Sequence, residues 1–174
     1  MASEGASNGI PSTAEGMNGA TPTNGTSQPP RSVEDLPPAA LDLAAKLFDL
    51  AREGNTATLK QYIDAGVPKN LTNSTGDTLL MLTSYHGHAE TAKMLLDAGS
   101  DPNVLNGRGQ SIIAGAVFKG YEEVVKVLFD GGADATNGQP NAVDCARMFK
   151  RESLLELFGA ELGEGREFRV DEQS

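Results

Sequence analysis

The sequence predicts an all-α solenoid of about four helix-turn-helix units with short extended arms, preceded by a disordered N-terminal tail. Three observations lead there. Glycines recur in steps of 33 residues, at Gly54, Gly87 and Gly120 and again at Gly66, Gly99 and Gly132, and Lys60, Lys93 and Lys126 keep the same step. Within one step, two apolar-periodic runs such as TLLMLTSYH and AETAKMLLDA flank a glycine, each the length of a short helix. The connecting pieces VPKNLTNSTGD and SDPNVLNGRGQ carry Pro, Asn and Gly, which suits extended arms ending in tight turns. A fixed period of this length marks stacked units, none of which buries its apolar face alone.

In chain order, residues 1–38 are rich in Ser, Gly, Asn, Thr, Ala and Pro, and Ile10, Met17, Val33 and Leu36 are too scattered to form an apolar face. Such a segment does not offset its ordering entropy and is expected to be a disordered arm. The repeat domain is expected over residues 39–161, with units at about 40–73, 74–106, 107–139 and 140–161, followed by a flexible acidic tail at 162–174. Gly99 follows KMLLDA, where a helix C-terminus favours a residue at positive φ. Gly115 falls inside a predicted helix and costs about 1 kcal/mol relative to Ala unless a close contact demands it. The last arm is short: nine positions separate Gly132 from Asn141, against twelve between Gly99 and Ser111. Lys150 takes the inter-helix glycine position of the last unit, which fits a terminal, capping repeat.

Composition narrows the function. The chain is 39% hydrophobic, enough for a core, and its formal net charge is −10. It has no cluster of Lys and Arg of the kind that binds a phosphate backbone, so nucleic acid is not an expected partner. The acidity favours encounter with a basic protein. Cys145 is the sole cysteine, which precludes an intrachain disulfide. The N-terminus has neither a basic segment nor an apolar run, and no stretch is long enough to span a membrane. A cytoplasmic or nuclear protein is expected, with the sequons at Asn24, Asn70 and Asn73 unmodified.

Candidate chemistry is sparse. His86 and His88 stand one residue apart, but Gly87 breaks the helix between them and the chain has no third histidine, whereas zinc requires three or four ligands. The turn NGRGQ lacks the Gly-Lys-Ser/Thr of a phosphate loop. No nucleophile elbow is present, and the carboxylates fall mainly on polar faces. The expectation is a non-catalytic protein with no cofactor and no metal. A metal-dependent enzyme using His86 and His88 is the alternative from another class.

The segments GDTLLMLTSYHGHAETAKMLLDAGSDPN and GQSIIAGAVFKGYEEVVKVLFDGGADAT resemble the ankyrin repeat, roughly Gly-x-Thr-Pro-Leu-His-x-Ala, then Gly-His, then a helix ending Leu-Leu-x-x-Gly-Ala-Asp-x-Asn. AAKLFDLAREGNTATLKQYIDAGVPKN and NAVDCARMFKRESLLELF match less completely, so the resemblance covers about residues 40–160. The motif histidine is replaced by Met81 and Ala114, so apolar packing is expected to take over at that corner. The resemblance implies a protein-binding module, monomeric, acting as adaptor, escort or inhibitor; small four-repeat inhibitors of protein kinases offer one version. It also implies where partners touch: a concave face of the stack, lined by the two residues before each inter-helix glycine together with the arm tips. Here those positions are Arg52 and Glu53, Tyr85 and His86, Phe118 and Lys119, and Met148 and Phe149, with Ser74, Thr75, Asp77, Arg108 and Gln110 on the rim. Tyr85, Phe118 and Met148 are expected to form an apolar stripe, and Arg52, His86, Arg108 and Lys119 to orient the partner. On the opposite side, Glu90 with Lys93 and Glu123 with Lys126 are expected to pair across three residues.

Overall fold

Helix α1 (Pro38–Glu53) opens the part of the protein that the computed structural model describes, residues 38–160. The expected N-terminal arm, up to residue 37, and the C-terminal stretch from 161 lie outside the described residues. Proline suits the first turn of α1, because its φ is already helical and its missing N–H would have no partner there.

The remaining helices complete four pairs: α2 (Thr56–Asp64) with α1, α3 (Leu79–Tyr85) with α4 (Ala89–Asp97), α5 (Ile112–Lys119) with α6 (Glu122–Asp130), and α7 (Ala142–Met148) with α8 (Glu152–Leu157). The first helices pack side by side in the order α1, α3, α5, α7 and form an inner layer; α2, α4, α6 and α8 form an outer one. Leu47, Leu80, Ile113, Leu59, Leu95, Leu128 and Leu154 are fully buried, so the core runs the length of the stack between neighbouring units. Isolated antiparallel bridges, Thr72 to Thr78 and Leu105 to Ser111, close the two long arms.

Inner helices α3, α5 and α7 start at side chains that satisfy a free backbone N–H. Thr78 accepts from Met81 at 3.1 Å, Ser111 from Ala114 at 3.3 Å and Asn141 from Asp144 at 2.8 Å, each such cap contributing about 1 kcal/mol. Met81 and Ala114 are themselves buried, so apolar packing fills the corner where the repeat motif has histidine.

Outer helices α4, α6 and α8 begin differently. Their first flanking residues, His88, Tyr121 and Arg151, make no side-chain cap bond and lie back over Gly54, Gly87 and Gly120 of the preceding pair. A Cβ on Gly54 would stand 2.4 Å from the His88 ring, one on Gly87 3.1 Å from the Tyr121 ring, and one on Gly120 2.6 Å from the Arg151 guanidinium. Gly54 also has φ +70°, so both backbone and space require glycine there. His88 Nε2 lies 2.7 Å from the Arg52 carbonyl oxygen, and Thr91 Oγ1 donates to the Gly54 carbonyl at 3.2 Å, which fixes unit two on unit one. Lys150 holds the equivalent place at φ 52°; among the described residues no further pair follows to cover it, so a side chain fits.

One sequence expectation needs correcting. Lys93 does not pair with Glu90, nor Lys126 with Glu123. Lys93 Nζ reaches Asp97 at 2.8 Å, and Lys60 reaches Asp64 at 2.7 Å. Residues four apart are offset by about 40° around a helix against about 60° for three apart, and at Lys60 and Lys93 the pair forms across four. These pairs are more than half exposed and add little stability.

Candidate functional site

Helices α3, α5 and α7 are buried over most of their length, α3 and α5 because each is flanked by two inner neighbours and an outer helix. Their last residues emerge. Tyr85 is 43% exposed, Phe118 55%, Met148 68% and Phe149 41%, although each belongs to a residue type that burial would favour. Between these helix ends and the arm tips runs a groove of about 700 Å³, lined by Met81, Tyr85, His86, Arg108, Gly115 and Phe118 among others. Gly115 leaves its floor open: a Cβ there would meet only Tyr85 Cδ2, at 3.6 Å. No close contact demands this glycine.

Aromatic contacts arrange the rim without sealing it. Lys119 Nζ sits 4.6 Å from the centre of the Tyr85 ring, a cation–π contact that joins units two and three. The Phe118 and Phe149 rings meet edge to face at 5.5 Å, so Phe149 rather than Met148 continues the aromatic row. Tyr85 and His86 are 6.1 Å apart in the same manner. Arg52 is held by Asp49 at 2.7 Å at the first unit's end of the row.

On the other side of the groove the arm tips are stitched together by asparagines. Asn73 Oδ1 accepts from the N–H groups of Thr75 and Asp77, and Asn106 Oδ1 accepts from those of Arg108 and Gln110. Asn106 Nδ2 donates to Asp77 Oδ1 at 3.0 Å, and the Gly107 N–H donates to the Thr75 carbonyl at 2.9 Å. The tips are therefore fixed, and Arg108 projects from one with its side chain exposed. Of the expected rim residues, Thr75, Asp77, Arg108 and Gln110 line the groove and Ser74 does not.

Electrostatics follow from this packing. Burial lowers the His86 pKa from its usual value, and the charges of His88, Arg52 and Lys119 act in the same direction. Burial on its own raises the Asp77 carboxyl, but hydrogen bonds from Thr75, Asn106 and Asn73 and the charge of Arg108 outweigh it, leaving the pKa below the usual carboxylate value. Burial pushes the Cys145 thiol up, which makes it a core group rather than a nucleophile. His88 spends Nε2 on the Arg52 carbonyl, and among the described residues no three His, Cys, Asp or Glu side chains stand where they could share a metal ion. Nor, among those residues, is any helix long and apolar enough to cross a membrane.

Paired helices, glycine-centred turns and short arms repeat at a fixed step, and the family model for ankyrin repeats, in three copies, matches residues 47–139. The chain belongs to the ankyrin repeat family. It is also 51% identical over 59 residues to a protein of Pseudomonas aeruginosa described as an ankyrin repeat protein; the match covers 31% of this chain and spans about a third, 34%, of that relative. Ankyrin repeats generally serve as protein–protein interaction modules and are typically non-catalytic.

In this ankyrin stack Tyr85, His86, Arg108 and Phe118 share one groove, with Lys119 and Phe149 bound to its aromatic rings. Arg52 and Met148 stand outside its lining. Sequence reasoning passed over two features. Gly115 reads as a helix defect when taken alone, whereas its spacing of three before Phe118 puts both on one helix face and marks a notch. The covering residues Tyr121 and Arg151 are legible as the residues that follow Gly120 and Lys150, in the place His88 takes after Gly87.

Proposed function

We propose that this ankyrin protein is a non-catalytic binding module whose partner protein docks in the groove between the inner-helix ends and the arm tips. The observation that carries the reading is the row of exposed rings, Tyr85, Phe118 and Phe149, set beside an open floor at Gly115. A partner side chain seated there would bury the rings, with His86, Arg108 and Lys119 fixing its orientation. Because the tips are hydrogen-bonded to one another and the helices are packed, little ordering entropy opposes docking. The same reading includes a monomeric chain in the cytoplasm or nucleus that acts as adaptor, escort or inhibitor.

A second reading rests on charge. Helices α2, α4, α6 and α8 carry eight carboxylates against three lysines, so the outer layer would attract a basic protein during encounter.

Affinity capture with the wild type beside a Tyr85→Ala, Phe118→Ala double variant tests the groove, with circular dichroism verifying the fold. Partners retained by the wild type should be lost from the double variant. Equal recovery by a folded double variant would remove the groove from the interaction.

A further inference from the structure

Charge is divided unevenly between the two layers. The outer helices hold eight carboxylates and three lysines, whereas the inner helices carry four carboxylates (Asp42, Asp49, Glu53 and Asp144) against four cations (Lys46, Arg52, Lys119 and Arg147). Asp77 is the only carboxylate among the residues that line the groove, and both its oxygens are already engaged, Oδ1 by Asn106 and Oδ2 by Thr75. Cations border both sides of the same groove: Lys119, beside the neutral His86 imidazole, at the helix ends, and Arg108 at the arm tip. His86 in turn feels the charges of Arg52 and Lys119. An overall charge of −10 would disfavour an acidic ligand at long range. At physiological ionic strength, however, charges more than about 8 Å apart are largely screened, so a docked segment responds to the groove and not to the outer layer.

Resting on the reading that the groove is the binding face, we propose that it takes an extended acidic peptide segment of a partner protein. One apolar side chain sits over Gly115 between the Tyr85 and Phe118 rings, and flanking carboxylates face Lys119 on one side, with the neutral His86 ring as a hydrogen-bond donor beside it, and Arg108 on the other. The floor suits this occupant because Gly115 leaves room beside the exposed Tyr85 and Phe118 rings. The cations suit it because few local carboxylates compete for them.

Panning a random twelve-residue peptide library displayed on phage against the full chain tests the proposal. The enriched peptides should be net negative and carry at least one large apolar residue. Labelled synthetic copies of them, followed by fluorescence anisotropy, should bind about five- to tenfold more weakly to Lys119→Glu and to Arg108→Glu, the scale of exchanging one exposed attraction for one repulsion. Lys93→Glu, on the outer layer, should leave binding unchanged. If Lys119→Glu does not fold, Lys119→Met gives the same comparison with a smaller loss. Enrichment of neutral or basic peptides that nevertheless require Tyr85 and Phe118 would overturn the charge assignment and leave the groove as the binding face. Failure to select any peptide that depends on Tyr85 and Phe118 would overturn both.

Discussion

Replacing Gly54 by Ala isolates the contact that locks one repeat onto the next. The new Cβ would come within 2.4 Å of Cγ and Nδ1 of His88, a ring that cannot swing aside freely because its Nε2 is tied to the Arg52 carbonyl at 2.7 Å. Two effects add. Holding Ala at φ +70° costs about 1 kcal/mol, and displacing the ring forfeits a hydrogen bond contributing about 1 kcal/mol together with its packing. The total is about 2–3 kcal/mol. Gly132→Ala is the reference, since Gly132 has φ +92° with no heavy atom within 4 Å of its would-be Cβ, so only the backbone cost of about 1 kcal/mol applies. Any entropy change in the unfolded chain is common to both and cancels in the difference. Urea unfolding followed by circular dichroism should therefore place Gly54→Ala about 1–2 kcal/mol below Gly132→Ala. In a His88→Ala background the excess should vanish, because the space is then vacant. Equal losses for the two glycines, or an excess that persists without the His88 ring, would refute the argument.

Three further outcomes follow from the same geometry. Lys150→Gly should stabilise the protein by about 1 kcal/mol in urea unfolding, because it relieves a left-handed residue that no neighbour covers. Gly115→Ala should also stabilise it, by about 1 kcal/mol, since the added methyl meets only Tyr85 Cδ2 at an ordinary distance. The same variant should weaken partner binding by filling the groove floor, and capture beside the wild type measures that loss. The imidazole of His86 should titrate below the usual histidine value in NMR, and Lys119→Met should move its midpoint upward. Because its native pKa is lowered, the unfolded chain binds the proton more readily. The His86 contribution to stability is therefore fully present above about pH 6.5 and is lost as pH falls from there through the native pKa.

How much of this was legible beforehand depends on the distance over which each feature is decided. The cap residues Thr78, Ser111 and Asn141 act on the backbone three residues along, so their roles could be read locally. The Lys93 partner was misread, because spacing alone left Glu90 and Asp97 both within reach and side-chain geometry chose Asp97. The cation–π contact of Lys119 with Tyr85 joins residues from different repeats, and no local pattern announces it.

The 33-residue step by itself determined the fold, because a unit that cannot bury its own apolar face has stable company only in copies of itself stacked in register. It also determined which residues end each inner helix. Only the tertiary structure decided which of those become a site. Packing of α3 against α5 set Tyr85 over the gap at Gly115, packing of α5 against α7 placed Phe118 against Phe149, and the bonded arm tips brought Arg108 to the opposite rim. Periodicity fixes the direction in which a side chain leaves its own helix; what it meets there depends on the offset between neighbouring repeats, which is set by contacts across the whole stack.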